Sequence, residues 1–152
     1  MKVAVFPGSF DPITVGHEAI VKRAAPLFDK IILAIGVNSS KKYMFTLEQR
    51  MEALQACFKD YDHVVVDQYE GLTIEYCKKI NAQYILRGLR IAADFEYERN
   101  IALMNRSMND QVETLFLISQ PEYSAITSTV VRDILRNGGD ISQFVPESFP
   151  FK

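Results

Sequence analysis

The chain has 152 residues, of which 48% are hydrophobic and 24% are charged, and its formal net charge is −2. This composition is typical of one folded domain with a sizeable core, and it excludes a disordered chain, which would combine low hydrophobicity with high net charge. The near-balance of acidic and basic residues leaves no global basic field of the kind that nucleic-acid-binding domains carry. We therefore expect a single domain over residues 1–152 and no nucleic-acid partner.

The cysteines and the N-terminal segment bear on the compartment. Cys57 and Cys77 are too few for a disulfide framework and lack a metal-ligand spacing, so we expect both to be ordinary core residues of helices. The first apolar run ends at Pro7-Gly8, which is too short for a signal peptide, and no segment approaches the roughly 20 apolar residues of a membrane span. These features predict a cytoplasmic protein without a membrane partner.

Short apolar runs alternate along the chain with segments of helical period. The predicted strands cover residues 2–6, 31–37, 63–67, 83–87 and 113–119. The predicted helices cover residues 17–25, 47–58, 72–81, 94–108 and 129–137. A capping box from Thr46 to Gln49 starts the second helix, and Asn137-Gly138-Gly139 is a favourable end for the last one.

Five β–α repeats predict a doubly wound, Rossmann-like α/β sandwich with a five-stranded parallel sheet. Several strands are apolar without alternation, as expected where helices cover both faces of a sheet. Right-handed crossovers bring the carboxyl ends of all strands to one edge, and ligands of such folds bind there, near the switch in strand order. The polar and glycine-rich residues that follow strands are therefore the candidates for a site.

The segment after the first strand is the most distinctive one. Residues 7–17 read PGSFDPITVGH, which predicts a structured turn in which Gly16 allows a ligand to come close. His17 follows at or near a helix N-terminus, where unpaired N–H groups favour an anion. On position alone, a capping histidine in a tight loop is an equally good interpretation. Neither a Walker-type loop nor a G-x-G-x-x-G turn is present.

The string from Gly8 to His17 resembles the (T/H)-x-G-H signature of the nucleotidyltransferase superfamily, and in particular the phosphopantetheine adenylyltransferase family. Three further stretches recur in the order of that family: residues 40–45 (SKKYMF), residues 86–98 (LRGLRIAADFEYE) and residues 123–129 (YSAITST), with Arg132 beyond. The resemblance covers nearly the whole chain, from residue 3 to about residue 146. It separates the chain from the cytidylyltransferases, whose last motif begins Arg-Thr.

The resemblance implies transfer of an adenylyl group from ATP to 4′-phosphopantetheine, which gives dephospho-coenzyme A and pyrophosphate. It also implies Mg²⁺ as cofactor and a homohexamer. Two alternatives stay open: a nucleotidyltransferase that uses CTP or another phosphorylated acceptor, and a nucleotide-binding sensor module without turnover.

Site residues are also implied by the resemblance, position by position. The catalytic candidates are His17, Lys41 and Arg90, with His17 as the stabiliser of the transition state. The ATP-binding candidates are Ser9, Phe10, His17, Gly88, Leu89, Arg90, Glu98, Tyr123, Ser124, Ala125, Ile126, Thr127, Ser128 and Thr129. The candidates for binding phosphopantetheine are Ser9, Lys41, Thr73 and Arg87. No residue is assigned as a metal ligand.

The residue chemistry is consistent with phosphoryl transfer, which needs in-line positioning and positive charge more than a covalent nucleophile. A helix N-terminus disfavours imidazolium, so we expect a neutral His17 that donates one N–H. Lys41, Lys42, Arg87 and Arg90 are expected just after strands, with acidic residues largely elsewhere. Without the resemblance, the two lysines form a solvated loop pair and the two arginines make ordinary ion pairs to Asp94 or Glu96. Arg132 either reaches a phosphate or decorates its helix.

Overall fold

Strands and helices alternate along the chain in the computed structural model, which describes residues 1–152. The strands are β1 (Val3–Gly8), β2 (Lys30–Gly36), β3 (Val64–Tyr69), β4 (Tyr84–Leu89) and β5 (Glu113–Ile118). The helices are α1 (Val15–Ala24), α2 (Leu47–Cys57), α3 (Thr73–Lys79), α4 (Ala92–Met108) and α5 (Ser128–Arg136). Short 3₁₀ turns occupy Ala25–Leu27 and Pro121–Tyr123.

The five strands form one parallel sheet in the order β3-β2-β1-β4-β5, which confirms the predicted Rossmann-like fold. The strand order switches between β1 and β4. These two strands pair only at Ala4↔Tyr84 and Val5↔Ile85, whereas β1 pairs with β2 from Val3 through Gly8. Because β1 and β4 separate before their carboxyl ends, the sheet opens at the switch point, where ligands of this fold class bind.

Both faces of the sheet are covered. On β1, Ala4 and Phe6 belong to a core cluster of 21 buried residues, and Val3 and Val5 belong to a second cluster of 10. Helices α1, α2 and α5 contribute to the first cluster and α3 to the second. Successive strand side chains point to opposite faces, so a strand buried on both sides needs an uninterrupted apolar run. This is the reason that the predicted strands lack alternation.

Helix α4 is the exception, because it buries only Glu98. Tyr97, Ile101, Met104 and Met108 follow one another at helical spacing and are 40–68% exposed. Phe95 packs against Phe116, with ring centroids 6.0 Å apart. None of the helices combines the length and the apolar character that crossing a membrane requires.

The two cysteines differ in their surroundings. Cys77 is fully buried in the second core cluster, as predicted. Cys57 is only partly buried, and its Sγ donates to Glu18 Oε2 at 3.3 Å. Burial, followed by the charge of Glu18, raises the pKa of the Cys57 thiol well above its ordinary value. Cys57 is therefore held as a thiol and is a poor nucleophile.

The C-terminal segment folds back on the rest of the chain and packs beside the loop before α2. The rings of Phe45 and Phe149 lie 5.7 Å apart, and Phe151 lies 5.9 Å from Phe149. The backbone N–H of Val15, the first residue of α1, donates to Phe144 O at 2.9 Å. The segment therefore supports both α1 and the loop before α2.

Replacing Phe149 with alanine is expected to lower the free energy of unfolding by about 3 kcal/mol, because a buried phenyl ring is lost and its cavity refills only in part. Denaturant unfolding measures the effect. Leu27→Ala, at a side chain that is 56% exposed, is the control and is expected to change stability by less than about 0.5 kcal/mol. Equal losses in the two variants would show that the segment does not contribute to the core.

Candidate active site

Two cavities meet where β1 and β4 separate. The larger, of about 550 Å³, reaches Thr73 at the start of α3, and we call it the α3 cavity. The smaller, of about 290 Å³, reaches Thr127 and Ser128 at the start of α5, and we call it the α5 cavity. Five residues border both cavities: Pro7, Gly8, Ser9, Arg87 and Glu98. A group bound in one cavity therefore lies beside a group bound in the other.

The candidates from the sequence separate between the cavities. All four residues expected at phosphopantetheine line the α3 cavity: Ser9, Lys41, Thr73 and Arg87. Ten of the residues expected at ATP line the α5 cavity: Ser9, Phe10, His17, Gly88, Arg90, Glu98, Tyr123, Ile126, Thr127 and Ser128. The remaining four, Leu89, Ser124, Ala125 and Thr129, do not line it. Lys42 is exposed and lines neither cavity.

Helix α1 begins at Val15, two residues earlier than predicted, because Thr14 caps it. His17 is therefore the third residue of the helix. The backbone N–H of Thr14 donates to His17 Nδ1 at 3.0 Å, and the N–H of His17 returns to Thr14 Oγ1 at 3.4 Å. This is a capping box in which histidine replaces the usual Glu or Gln. Since Nδ1 accepts a hydrogen bond, the ring proton lies on Nε2. His17 thus presents one N–H donor in the α5 cavity.

Burial fixes the protonation state of this ring. Its neighbours are Phe10 and Phe6, with centroids 5.1 Å and 6.2 Å away. Burial, followed by the positive charges of Arg87 and Arg90, lowers the pKa of His17 from 6.5 to about 4. The lowered pKa agrees with the neutral ring expected from the sequence, and its largest cause is burial and not the helix N-terminus.

This lowered pKa makes stability depend on pH. Between pH 6.5 and about 4 the unfolded chain binds a proton at His17 and the folded chain does not, so the unfolded state gains as the pH falls. The contribution is complete above pH 6.5 and is lost as the pH approaches 4. We expect the melting temperature of the wild type to fall more between pH 7 and about 4.5 than that of His17→Gln, which keeps a capping acceptor without titrating. Parallel melting curves in the two proteins would contradict this assignment.

Phe10 shapes the wall beside His17. It has a φ of 47°, in the left-handed region that non-glycine residues seldom adopt, and its ring is buried. A Cβ at Gly8 would lie 3.1 Å from this ring, so the space for Phe10 depends on a glycine at position 8. Gly88 has a similar use, since a Cβ there would lie 3.3 Å from Ile20 Cγ1. The absence of a side chain at Gly88 therefore leaves room for the buried side chain of Ile20.

Arg87 bridges the gap between the separated strands. Its Nη1 donates to Pro7 O at 2.6 Å, and its Nε and Nη2 donate to the two oxygens of Glu98 at 3.0 and 2.7 Å. The predicted strand ends at Arg87, whereas β4 continues to Leu89, so Arg87 lies inside the strand and not at its end. The bidentate pair holds the guanidinium at the boundary of the two cavities.

Acidic residues are present at this edge, contrary to the expectation that they lie largely elsewhere. Glu98 faces Arg87, and Asp94 binds Arg90 Nε and Nη2 at 3.1 Å each. The hydrogen bonds from Arg90 hold the pKa of Asp94 below its ordinary value despite the opposing effect of burial. Nη1 of Arg90 makes no hydrogen bond within the chain. Arg90 is therefore oriented by Asp94 while one end of its fork remains open.

Hydroxyl groups surround the start of α5. Thr127 Oγ1 accepts the N–H of Val130 at 3.1 Å and so caps the helix, which begins one residue earlier than predicted. Ser128 Oγ donates to Pro12 O at 2.8 Å. Thr127 and Ser128 thus fix the helix N-terminus against the first loop and border the α5 cavity at the same time.

Asp11 and Arg50, which the sequence pattern did not single out, fix the loops of the site together with Arg132, whose role was left open. Asp11, in the loop of residues 9–14 (the first loop), accepts backbone hydrogen bonds from Met44 and Phe45, in the loop of residues 37–46 (the second loop). Arg50 and Arg132 donate to backbone carbonyls of the first loop, at Ser9 O and Asp11 O. Arg132 is therefore fixed against the first loop and is more than a surface residue of its helix. An aspartate before proline and an arginine within an amphipathic helix carry no signal of such long-range contacts.

The cytidylyltransferase-like family model matches residues 5–134, so the chain belongs to this family of nucleotidyltransferases. A crystal structure from Vibrio parahaemolyticus, provisionally described as a nicotinate-nucleotide adenylyltransferase, superposes with a TM-score of 0.70 over 95% of this chain and 94% of that chain. At 21% identity, this likeness shows the fold alone.

Curated relatives are much more similar in sequence. The phosphopantetheine adenylyltransferase of Flavobacterium psychrophilum is 55% identical over 152 residues, which is 100% of both chains. That of Flavobacterium johnsoniae is 53% identical over 100% of this chain and 99% of its own. That of Caldanaerobacter subterraneus is 48% identical over 97% of this chain and 92% of its own. The chain belongs to the phosphopantetheine adenylyltransferase family.

Proposed function

We propose that this enzyme binds 4′-phosphopantetheine in the α3 cavity and ATP in the α5 cavity, and that the reacting groups meet at their common border. The reaction is that of the family, adenylyl transfer from ATP to 4′-phosphopantetheine with formation of dephospho-coenzyme A and pyrophosphate. The observation that carries the assignment of cavities is that the phosphopantetheine candidates line the α3 cavity and ten of the ATP candidates line the α5 cavity, while Ser9 and Arg87 border both. Two phosphate groups bound on either side of these residues lie close enough to react.

In this arrangement a phosphate oxygen of phosphopantetheine attacks the α-phosphorus of ATP. The bond from that phosphorus to the bridging oxygen breaks, and pyrophosphate leaves with the electron pair. His17 Nε2–H donates to a non-bridging oxygen of the α-phosphate, where negative charge increases in the transition state. Because the pKa of His17 is about 4, the ring acts as a neutral donor and transfers no proton near pH 7.

Cationic side chains of the two cavities hold the phosphates in line. Lys41 lies in the second loop on the α3 side and bridges the phosphates of acceptor and nucleotide. Arg87 serves the acceptor phosphate, and the open end of Arg90 serves the phosphates of ATP. Ser9 Oγ is a donor that both substrates can reach, and Glu98 keeps the Arg87 guanidinium in place.

Mg²⁺ enters, in this proposal, as the magnesium complex of ATP. The carboxylates nearest the border are engaged within the chain: Glu98 by Arg87, Asp94 by Arg90 and Asp11 by two backbone N–H groups. No three metal-binding side chains are grouped together. This donor set fits a cation held by triphosphate oxygens and water, as is common for Mg²⁺.

Pyrophosphate release tests the substrate assignment. The protein is incubated with Mg²⁺, ATP and 4′-phosphopantetheine, and CTP and glycerol phosphate serve as the alternative nucleotide and acceptor. We expect pyrophosphate only with ATP and phosphopantetheine together. Release that requires CTP would contradict the nucleotide assignment, and tight ATP binding without turnover would favour a sensor module.

A homohexamer is the assembly we propose, and the apolar stripe of α4 supports contacts between copies. The chain itself leaves these apolar side chains exposed, as expected for a surface that another copy covers: Tyr97, Ile101, Met104 and Met108. Sedimentation of the wild type is expected to give six chain masses, and Met104→Glu, which places a charge within the stripe, is expected to give smaller species. Gln55→Glu, on the exposed side of α2, is the matched control and leaves the mass unchanged. A monomeric wild type would contradict the proposal.

We also propose that the enzyme works in the cytoplasm. The two thiols are unpaired, which suits a reducing compartment, and ATP is abundant there. Cell fractionation with detection of the chain is the test, and recovery in the periplasmic fraction would contradict it.

A further inference from the structure

We infer that Asp11 is a positioning residue, which fixes the second loop, and with it Lys41, relative to the first loop and His17. The inference rests on the role proposed above for Lys41. Asp11 lines neither the α3 cavity nor the α5 cavity and is only 3% exposed, so it acts through the backbone of its neighbours and not on a substrate.

The carboxylate of Asp11 joins the two loops at adjacent residues. Its Oδ2 accepts the N–H of Met44 and its Oδ1 accepts the N–H of Phe45, both at 2.9 Å. Two neighbouring N–H groups need two acceptor oxygens in a fixed orientation, which an ionised carboxylate supplies. The residues held in this way follow Lys41 by three and four positions.

Arg50 adds a second link at the same place. Its Nη1 donates to Ser9 O at 3.0 Å and its Nε donates to Phe45 O at 3.2 Å. The side chain is buried, with its guanidinium carbon 4.0 Å from the centre of the Tyr43 ring. The N–H of Phe45 is therefore bound to Asp11 of the first loop, and its C=O is bound to Arg50, which itself donates to the first loop.

The contacts of Lys41 itself show how its position is set. Between Gly36 and the start of α2, the loop has its own short turn, in which Lys41 N donates to Asn38 O at 3.1 Å. Lys41 itself is exposed and makes no side-chain hydrogen bond within the chain. Its position in the α3 cavity is therefore set by the backbone, and a misplacement of about 1 Å is enough to cost on the order of 100-fold in rate.

The test is a double-mutant cycle in the full-length enzyme with Asp11→Asn and Lys41→Ala. Asparagine has almost the same shape but offers one acceptor oxygen, and its amide group opposes the second N–H. Asp11→Asn is expected to lower kcat by about 10- to 100-fold while KM for ATP changes by less than about two-fold. In the Lys41→Ala background, the same change is expected to lower kcat by less than about three-fold, because the group that it positions is already absent.

Val112→Ala is the matched control for loss of stability alone. Val112 is buried in the second core cluster, before β5 and away from both loops, and this variant is expected to lower the melting temperature while kcat stays within about two-fold. Should Asp11→Asn fail to fold, Asp11→Glu takes its place in the cycle, since glutamate keeps the charge but displaces both acceptor oxygens by one methylene group.

The outcomes separate the inference from the function on which it rests. A kcat for Asp11→Asn within about two-fold of the wild type, or losses that multiply fully in the double variant, would overturn the positioning role and leave that of Lys41 intact. An unchanged kcat in Lys41→Ala would contradict the role proposed for Lys41 and the inference together.

Discussion

His17→Ala is expected to lower kcat by about two to three orders of magnitude, the usual cost of removing one preorganised donor to a developing negative charge. The geometry supplies the reason. Thr14 fixes the ring through Nδ1, Phe6 and Phe10 enclose it, and the single remaining donor is Nε2–H. Alanine keeps none of these features. Steady-state kinetics with ATP and phosphopantetheine measure the effect, and KM for both substrates is expected to change much less than kcat.

The chain offers its own control for this experiment. His63, the other histidine, is partly buried and its Nε2 lies 3.0 Å from Ala25 O, outside both cavities. His63→Ala is expected to keep kcat within about two-fold of the wild type. If His17→Ala retained near wild-type turnover, the ring would be a helix cap and nothing more.

Arg87→Ala is expected to have the second largest effect, with kcat/KM for phosphopantetheine reduced by about 100- to 1000-fold. The change removes a cation from the border of both cavities and also frees Pro7 O and Glu98. Because Glu98 is only 8% exposed, its unpaired carboxylate is expected to lower the free energy of unfolding by about 2 kcal/mol. Kinetics and denaturant unfolding are therefore measured on the same variant.

A second substitution separates the two effects. In Arg87→Ala, the additional change Glu98→Gln removes the unpaired charge and is expected to recover stability without recovering activity. Arg106→Ala is the matched control, because the Arg106–Glu113 pair is 60% and 57% exposed and such pairs contribute about 0–1 kcal/mol. Full recovery of activity in the double variant would mean that Arg87 has a structural role only.

Much of the fold follows from local patterns. The five apolar runs predict the five strands, because strands covered on both faces are apolar throughout, and the segments of helical period between them predict the five α-helices. The largest errors are at the ends of elements. Thr14 caps α1 with a histidine as the reciprocal partner, which the usual Ser/Thr-x-x-Glu pattern does not include. β4 extends to Leu89, so Arg87 is a strand residue.

The candidate site was predicted less completely than the fold. The positions of His17, Arg87 and Arg90 relative to the strands predict that they lie at one edge of the sheet. In the structure all three border the α5 cavity. The partners of the arginines were predicted only in part: Asp94 pairs with Arg90 as expected, but Arg87 pairs with Glu98 and Glu96 pairs with neither. Ion pairs depend on the direction in which a side chain leaves its helix, which a formal charge count does not contain.

The sequence by itself determined the succession of strands and helices along the chain and the edge of the sheet that carries the site. Through the string from Gly8 to His17, it also determined the family resemblance. These depend on local residue pattern and on the fixed handedness of β–α–β crossovers. Only the tertiary structure decided that the site consists of two cavities with a common border, that burial keeps His17 neutral, and that Asp11 and Arg50 join the two loops. Each of these arises from contacts between residues distant in the chain, and a local pattern specifies neither the depth of burial nor the partner of a hydrogen bond.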